Sequence, residues 1–248
     1  MRRVALPESP RHLGLIPGGP VLVPAERADA LVSVTLPGGA TQTAGVGDFP
    51  HNATAGAGRV FTVNEFGDTL SVIDQGRVVE TVATPVQPGG VAVLGDVVGV
   101  VTVRSNALTL YDARTLERLG EVVVGAGPTH VVAGPPGRFY VIDTRGDALL
   151  AVDAREGRDG GGEPAIVDRT NLAGAPYGVA VDPRRNRLWV TLTERNELVE
   201  LALSQRGPER VRTYPTIRQP NTVAVDPATG RVYVAGRAEG LLQTIEPR

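Results

Sequence analysis

A chain of 248 residues with 25 basic and 27 acidic side chains carries a net charge of −2, which leaves no electrostatic footprint for nucleic acid. With 42% hydrophobic residues, 31 Gly, 20 Pro and few aromatics, the composition suits short strands and many turns, and no apolar run reaches the roughly 18 residues of a membrane span. The absence of Cys excludes thiol nucleophiles and Cys-ligated zinc or iron sites, and gives no reading of the redox compartment. A compact chain of this length buries roughly 70–75% of its unfolded surface, so stability requires no metal or disulfide. All 25 basic residues are Arg, which fits either a GC-rich coding sequence or a demand for permanently charged, delocalised donors. Met1-Arg2-Arg3 opens like a signal peptide, but Pro7, Glu8 and Pro10 stand where its apolar segment would be. The expected compartment is the cytoplasm, or outside it with a leader removed.

Similar runs begin at Pro10, Pro50, Pro88, Pro128, Pro176 and Pro220, spaced by 40, 38, 40, 48 and 44 residues. Each alternates apolar stretches with tight polar turns, most plainly from Pro176 to Ser204. Self-similarity at about 41 residues, with four strands to a unit, is the signature of a β-propeller. The chain therefore reads as one all-β domain over residues 1–248: a six-bladed β-propeller of four-stranded antiparallel blades, with strand a innermost and d outermost.

In the first unit the pattern predicts strands at 13–16, 21–24, 30–36 and 40–46, and in the second b, c and d at 60–64, 69–74 and 77–83. Outer strands follow near 119–124, 165–169 and 210–216, and the sixth unit stops after strand c at Leu241 to Ile245. The Gly-rich, charged stretch from Arg155 to Pro164 predicts a mobile loop. Val4 to Leu6 precedes Pro10 without a unit of its own, so it is expected to pair beside Leu241 to Ile245. Residues 3–7 would then complete the last blade.

Strand alternation directs the second residue after each opening proline, namely His12, Asn52, Gly90, His130, Gly178 and Thr222, toward a central channel. The three His of the chain, His12, His51 and His130, all lie one or two residues after such a proline. Imidazole suits Zn, Cu, Fe or Ni, so one reading is a divalent metal held by His12 and His130; the other is a wet entrance lined by solvated polar groups. The b-to-c loops open on the same face with Glu26 and Arg27, Asn64 and Glu65, Arg104 and Asn106, Asp143 and Arg145, Glu194 and Arg195, and Arg237 and Glu239. Convergent guanidiniums at Arg27, Arg104, Arg145, Arg195 and Arg237 would clamp a carboxylate or phosphate, unless they form a rim of intermixed charges. Candidate ligand-binding residues on this face are His12, His51, Asn52, Glu65, Arg104, His130, Arg145, Tyr177, Arg195, Asn221 and Arg237. No nucleophile elbow, P-loop, dinucleotide fingerprint or His-Glu-x-x-His zinc motif is present.

At Phe61-Thr62-Val63-Asn64, Trp189-Val190-Thr191 and Tyr233-Val234-Ala235 the chain resembles the YVTN-type repeats of bacterial β-propellers. Proteins of that type are commonly exported and bind ligands or partners. Pro220-Asn221-Thr222 is similar to the Pro-Asn-Gly segment of the six-bladed gluconolactonase and senescence-marker-protein group, which implies Asn221 as a metal ligand. Pro50-His51 resembles streptogramin-type lyases. These likenesses frame two functions: a monomeric binding propeller for a small molecule or protein, or a divalent-metal hydrolase, lactonase or lyase at the same mouth. The binding module needs only a surface; the enzyme needs an ion or an activated acid/base pair in a pocket.

Overall fold

The computed structural model describes residues 3–16, 18–154 and 163–247. Their regular structure is all strand apart from a 3₁₀ turn over Glu26–Ala28. The fold is a six-bladed β-propeller, with five four-stranded antiparallel sheets and a sixth of three strands. Two compact units divide it, Met1–Glu121 with blades one to three and Val122–Arg248 with blades four to six, the boundary falling in the outer strand of blade three.

In most blades strands b and c are buried nearly throughout, small polar residues such as Thr62 and Ser71 included, because both of their faces are covered. Val97–Thr102 is buried throughout, whereas the outer strand Arg77–Ala83 is almost wholly exposed. In the first unit one core joins Phe61, Val63 and Leu70 of blade two to Val91, Val98 and Val100 of blade three. In the second, Tyr140, Ile142 and Leu149 pack on Leu188, Val190 and Val199, and Trp189 packs on Val223, Val232 and Val234. Within each unit apolar area is thus buried between successive blades, which makes each repeat dependent on its neighbour there. The innermost strands approach closely: a Cβ on Gly14 would collide with the Ala53 carbonyl oxygen.

The expected strands in blade two, at Thr69–Asp74 and Arg77–Ala83, and the last strand Leu241–Ile245 are found as read. The expected closure is not. The sixth sheet ends at Leu241–Ile245, and residues 3–7 join no sheet. Val4 packs instead on Val23, Val32 and Val34 of blade one. The following turns fix it there, since Pro10 bridges Ala25, Arg11 N–H donates to Pro24 O at 2.9 Å and Glu26 N–H to Ser9 O at 3.0 Å. Most of the expected mobile loop, residues 155–162, lies outside the described residues.

Two repeated devices set the b-to-c face. The first is a register in which each opening proline meets the last residue of strand b: Pro50 with Asn64, Pro88 with Thr102, Pro128 with Asp143, Pro176 with Leu192 and Pro220 with Gly236. Directly after each proline the ladder slips, leaving His51, Gly89, Thr129, Tyr177 and Asn221 out of the pairing. Such a bulge re-aims the side chain it carries. Period-two alternation therefore fails at the residue after the proline.

The second device is a staple between repeats. Each b-to-c loop ends on a residue with positive φ: Asp29, Asp68, Asn106, Asp147, Asn196 and Gly240. The residue before the next opening proline is also left-handed, at Phe49, Gln87, Ala175 and Gln219. The Asx oxygen accepts that residue's N–H: Asp29 from Phe49 at 3.0 Å, Asp68 from Gln87 at 2.7 Å, Asp147 from Ala175 at 3.0 Å and Asn196 from Gln219 at 2.8 Å. Asp and Asn tolerate this conformation, and the hydrogen bond offsets the cost of placing Phe or Gln in it.

Candidate functional site

In the first unit the bulge at His51 turns its imidazole between two carboxylates. Glu26 is the first residue after strand b of blade one, and Glu65 occupies the same place in blade two. His51 Nδ1 lies 3.2 Å from Glu26 Oε1 and 2.8 Å from Glu65 Oε2. Glu26 is 6% exposed and His51 8%, yet neither Glu26 Oε1 nor His51 Nδ1 has a hydrogen-bond partner in acceptable geometry. The 2.8 Å approach is accordingly a close polar contact rather than an aligned hydrogen bond.

A wider network holds these groups. Gln87 Nε2 donates to Glu65 Oε1 at 2.8 Å, which leaves Oε2 facing His51, and Arg104 Nε donates to Gln87 Oε1 at 3.0 Å. On the other side Arg11 Nε stands 3.4 Å from Glu26 Oε1. Burial pushes the Glu65 carboxyl upward, but His51, Gln87 and Arg11 outweigh it and hold the pKa below the ordinary value. His12 stacks at a tilt on His51, with ring centroids 5.0 Å apart. Burial above all, then the charges of His51 and Arg11, lowers its pKa to about 3, so it is neutral at physiological pH. Phe49 and Phe66, the neighbours of Pro50 and Glu65, stack with centroids 4.3 Å apart, and Phe66 is 59% exposed. The patch thus joins buried carboxylates and an imidazole to an amide, a guanidinium and an aromatic pair at the surface.

The second unit uses the same positions differently. The residues after strand b are Thr144 and Thr193, whose hydroxyls donate to Pro176 O at 2.7 Å and Ala175 O at 2.9 Å. The bulge residue between them is Tyr177, whose ring meets His130 edge-on at 4.7 Å. Its buried acid, Asp143, accepts the N–H groups of Ala126, Gly127 and Gly146 at 3.1, 2.8 and 3.0 Å. That carboxylate is committed to the loop backbone.

Of the residues expected on this face, His12, His51, Asn52, Glu65 and Arg104 fall in the first unit. His51, Glu65 and Arg104 join the network, while His12 and Asn52 share a bridge beside it. In the second unit His130 and Tyr177 meet, and the stems of Arg145 and Arg195 lie over the backbones of Gly127 and Gly174. Asn221 sits in its bulge half-buried, and Arg237 is exposed. Among the described residues, the group with metal-ligand spacing is Glu26, His51 and Glu65, all three ligand atoms lying within 4.8 Å of one another. His12, His130 and Asn221 are not members of it. Sequence reasoning placed Glu26 on the right loop without selecting it, and missed Gln87. A repeat alignment carries the available signal for Glu26, which is equivalent to Glu65. A groove of about 730 Å³ between Ile16, Ser33, Gln42, Arg59 and Ile73 lies away from this network and offers no carboxylate or imidazole.

No protein-family profile matches the chain, nor does any curated relative. Solved structures do. The β-propeller domain of Cps50 (Swd1) from Myceliophteria thermophila superposes with a TM-score of 0.80 at 13% identity, over 100% of this chain and 87% of that one. A proposed 6-phosphogluconolactonase from Bacteroides uniformis gives 0.79 at 18% identity, over 99% and 83%. A streptogramin B lyase gives 0.77 at 13%, over 99% and 85%. At such identities the likeness establishes the fold alone, a β-propeller.

Proposed function

We propose that this propeller is a binding protein whose contact surface is the b-to-c loop face, centred on the patch of Arg11, Glu26, His51, Glu65, Gln87 and Arg104. The observation that carries this reading is the hydrogen-bonded and ionic chain that brings these six side chains together from three repeats. Carboxylates accept from hydroxyl groups, and the exposed Phe66 beside them offers an apolar face. The chemistry suits a small hydroxylated ring, such as a sugar or its lactone. The repeats read as YVTN-type, the six blades form one domain of residues 1–248, and the working form is a monomer. His130, Arg145, Tyr177, Arg195, Asn221 and Arg237 supply a contact surface of the second unit.

The alternative is a divalent-metal hydrolase, lactonase or lyase at the same patch. It is favoured by the spacing of Glu26, His51 and Glu65, and the fold is shared with a proposed lactonase and a lyase. Titration of the protein with monosaccharides, aldonic acids and aldonolactones, followed by thermal shift and NMR, tests the binding reading. A saturable ligand is expected, weakened about fivefold or more by Gln87→Ala, the loss of one to two hydrogen bonds, and by Phe66→Ala. A panel without a binder, or a binder indifferent to both substitutions, overturns it.

A further inference from the structure

Within each unit the repeats present the same three places at a junction between blades: the first loop residue of one blade, the bulge residue of the next, and the first loop residue of that next blade. From the first blade onward these places read Glu26, His51, Glu65; then Glu65, Gly89, Val103; and in the second unit Thr144, Tyr177, Thr193 and Thr193, Asn221, Arg237. Only the first set offers three ligand atoms of the type that binds borderline metal ions. We propose that Glu26, His51 and Glu65 form a site for a divalent transition-metal ion of the zinc and manganese class.

Metal–ligand bonds of about 2.0–2.2 Å, at octahedral to tetrahedral angles, separate neighbouring ligand atoms by about 2.8–3.6 Å. The two separations at His51 Nδ1, 3.2 and 2.8 Å, fall in that range. Burial supplies a second, independent argument. Glu26 Oε1 and His51 Nδ1 are shielded from water and make no aligned hydrogen bond despite close polar neighbours, a state that costs free energy unless something shared satisfies them. One cation satisfies both. A neutral His51 would coordinate through Nδ1, and the two carboxylates would balance a dication. Gln87 fixes the orientation of Glu65, as groups behind a metal ligand characteristically do. Arg11 stands on the outer side of Glu26 and is substantially exposed, so it can swing away as the ion enters. Three protein ligands leave room for water or a ligand oxygen on the ion. The site goes beyond ligand binding and does not depend on it.

Chelator-stripped, untagged protein is titrated with Co²⁺ by visible absorption and with Zn²⁺ by calorimetry. Parallel titrations use Glu26→Gln, Glu65→Gln and, as a control on an exposed outer strand, Glu209→Ala, each checked for its fold by thermal unfolding without metal. One ion per chain is expected, with affinity reduced at least about tenfold in each Gln variant and unchanged in Glu209→Ala. Addition of Zn²⁺ to the parent is expected to move the ¹⁵N resonance of His51 Nδ1, a readout that needs no variant. No binding, full-affinity binding in both Gln variants, or loss in Glu209→Ala alone overturns the proposal. So does a His51 that titrates as an imidazolium held between two carboxylates and ignores the metal. A sugar that still binds the stripped protein through Gln87 leaves the binding reading standing in any of those cases.

Discussion

Glu26 in the first unit and Asp143 in the second are both buried acids at the mouth of a b-to-c loop, and they do opposite things. Asp143 spends its oxygens on three backbone N–H groups and holds a loop in shape. Glu26 spends Oε1 on no hydrogen bond and faces an imidazole. The scaffold around them is the same, with a proline register, a bulge and an Asx staple. The difference teaches that a carboxylate buried at this face is either committed to the loop backbone or left without an aligned hydrogen bond, according to the side chains around it.

That contrast can be broken most severely by exchange. Placing Thr144→Glu, Tyr177→His and Thr193→Glu together in the second unit is expected to create a second metal site, doubling the bound Co²⁺. An unchanged stoichiometry would show that position alone does not make the site. Next in size are the cores on which each unit rests. Trp189→Ala is expected to destabilise by about 3–5 kcal/mol by chemical denaturation. Trp189 Nε1 is itself buried without a partner, so Trp189→Phe removes an unsatisfied donor along with volume and is expected to cost under about 1.5 kcal/mol.

A third test uses the titration of one buried tyrosine of the second unit. Tyr140 is fully buried in the second unit, and Phe61 is its equivalent in the first. Burial raises the Tyr140 pKa to about 12. The unfolded chain therefore releases this proton near pH 10 while the folded chain keeps it, and stability falls between about pH 10 and 12. The loss approaches about 3 kcal/mol. Thermal unfolding between pH 9 and 12 is expected to decline less steeply in Tyr140→Phe than in the parent, and equal declines would refute the assignment. Smallest is the staple: Asp68→Ala and Asp147→Ala are each expected to cost about 1–2 kcal/mol, with a matching rise in hydrogen exchange at Gln87 and Ala175.

The architecture was legible because its signals are local and repeated. Prolines at a near-constant period, apolar alternation and polar turns located the blades and most strand limits. Three things were not legible. Residues 3–7 look like a strand, but Val4 finds its apolar contacts on blade one, a choice made by tertiary packing. Strand parity points His12 and His130 inward as a pair, but the bulge after Pro50 overrides parity for His51. The left-handed residues at Phe49, Gln87 and Gln219 carry no local mark, since nothing in Phe or Gln announces positive φ. Charge on the right loop was visible in Glu26 and Glu65, but their convergence on one imidazole required the register.

The staple has a use beyond stability. Between the end of strand b and its left-handed Asx or Gly lie three residues in every repeat, 26–28, 65–67, 103–105, 144–146, 193–195 and 237–239. Both ends of each triplet are pinned by the ladder on one side and, in four of the repeats, by the Asx hydrogen bond on the other. The middle residue of each triplet, Arg27, Phe66, Arg104, Arg145, Glu194 and Ala238, is exposed and can change without disturbing the blades. A combinatorial library randomised at those six positions, with the pins kept, would turn this propeller into a source of selectable affinity reagents.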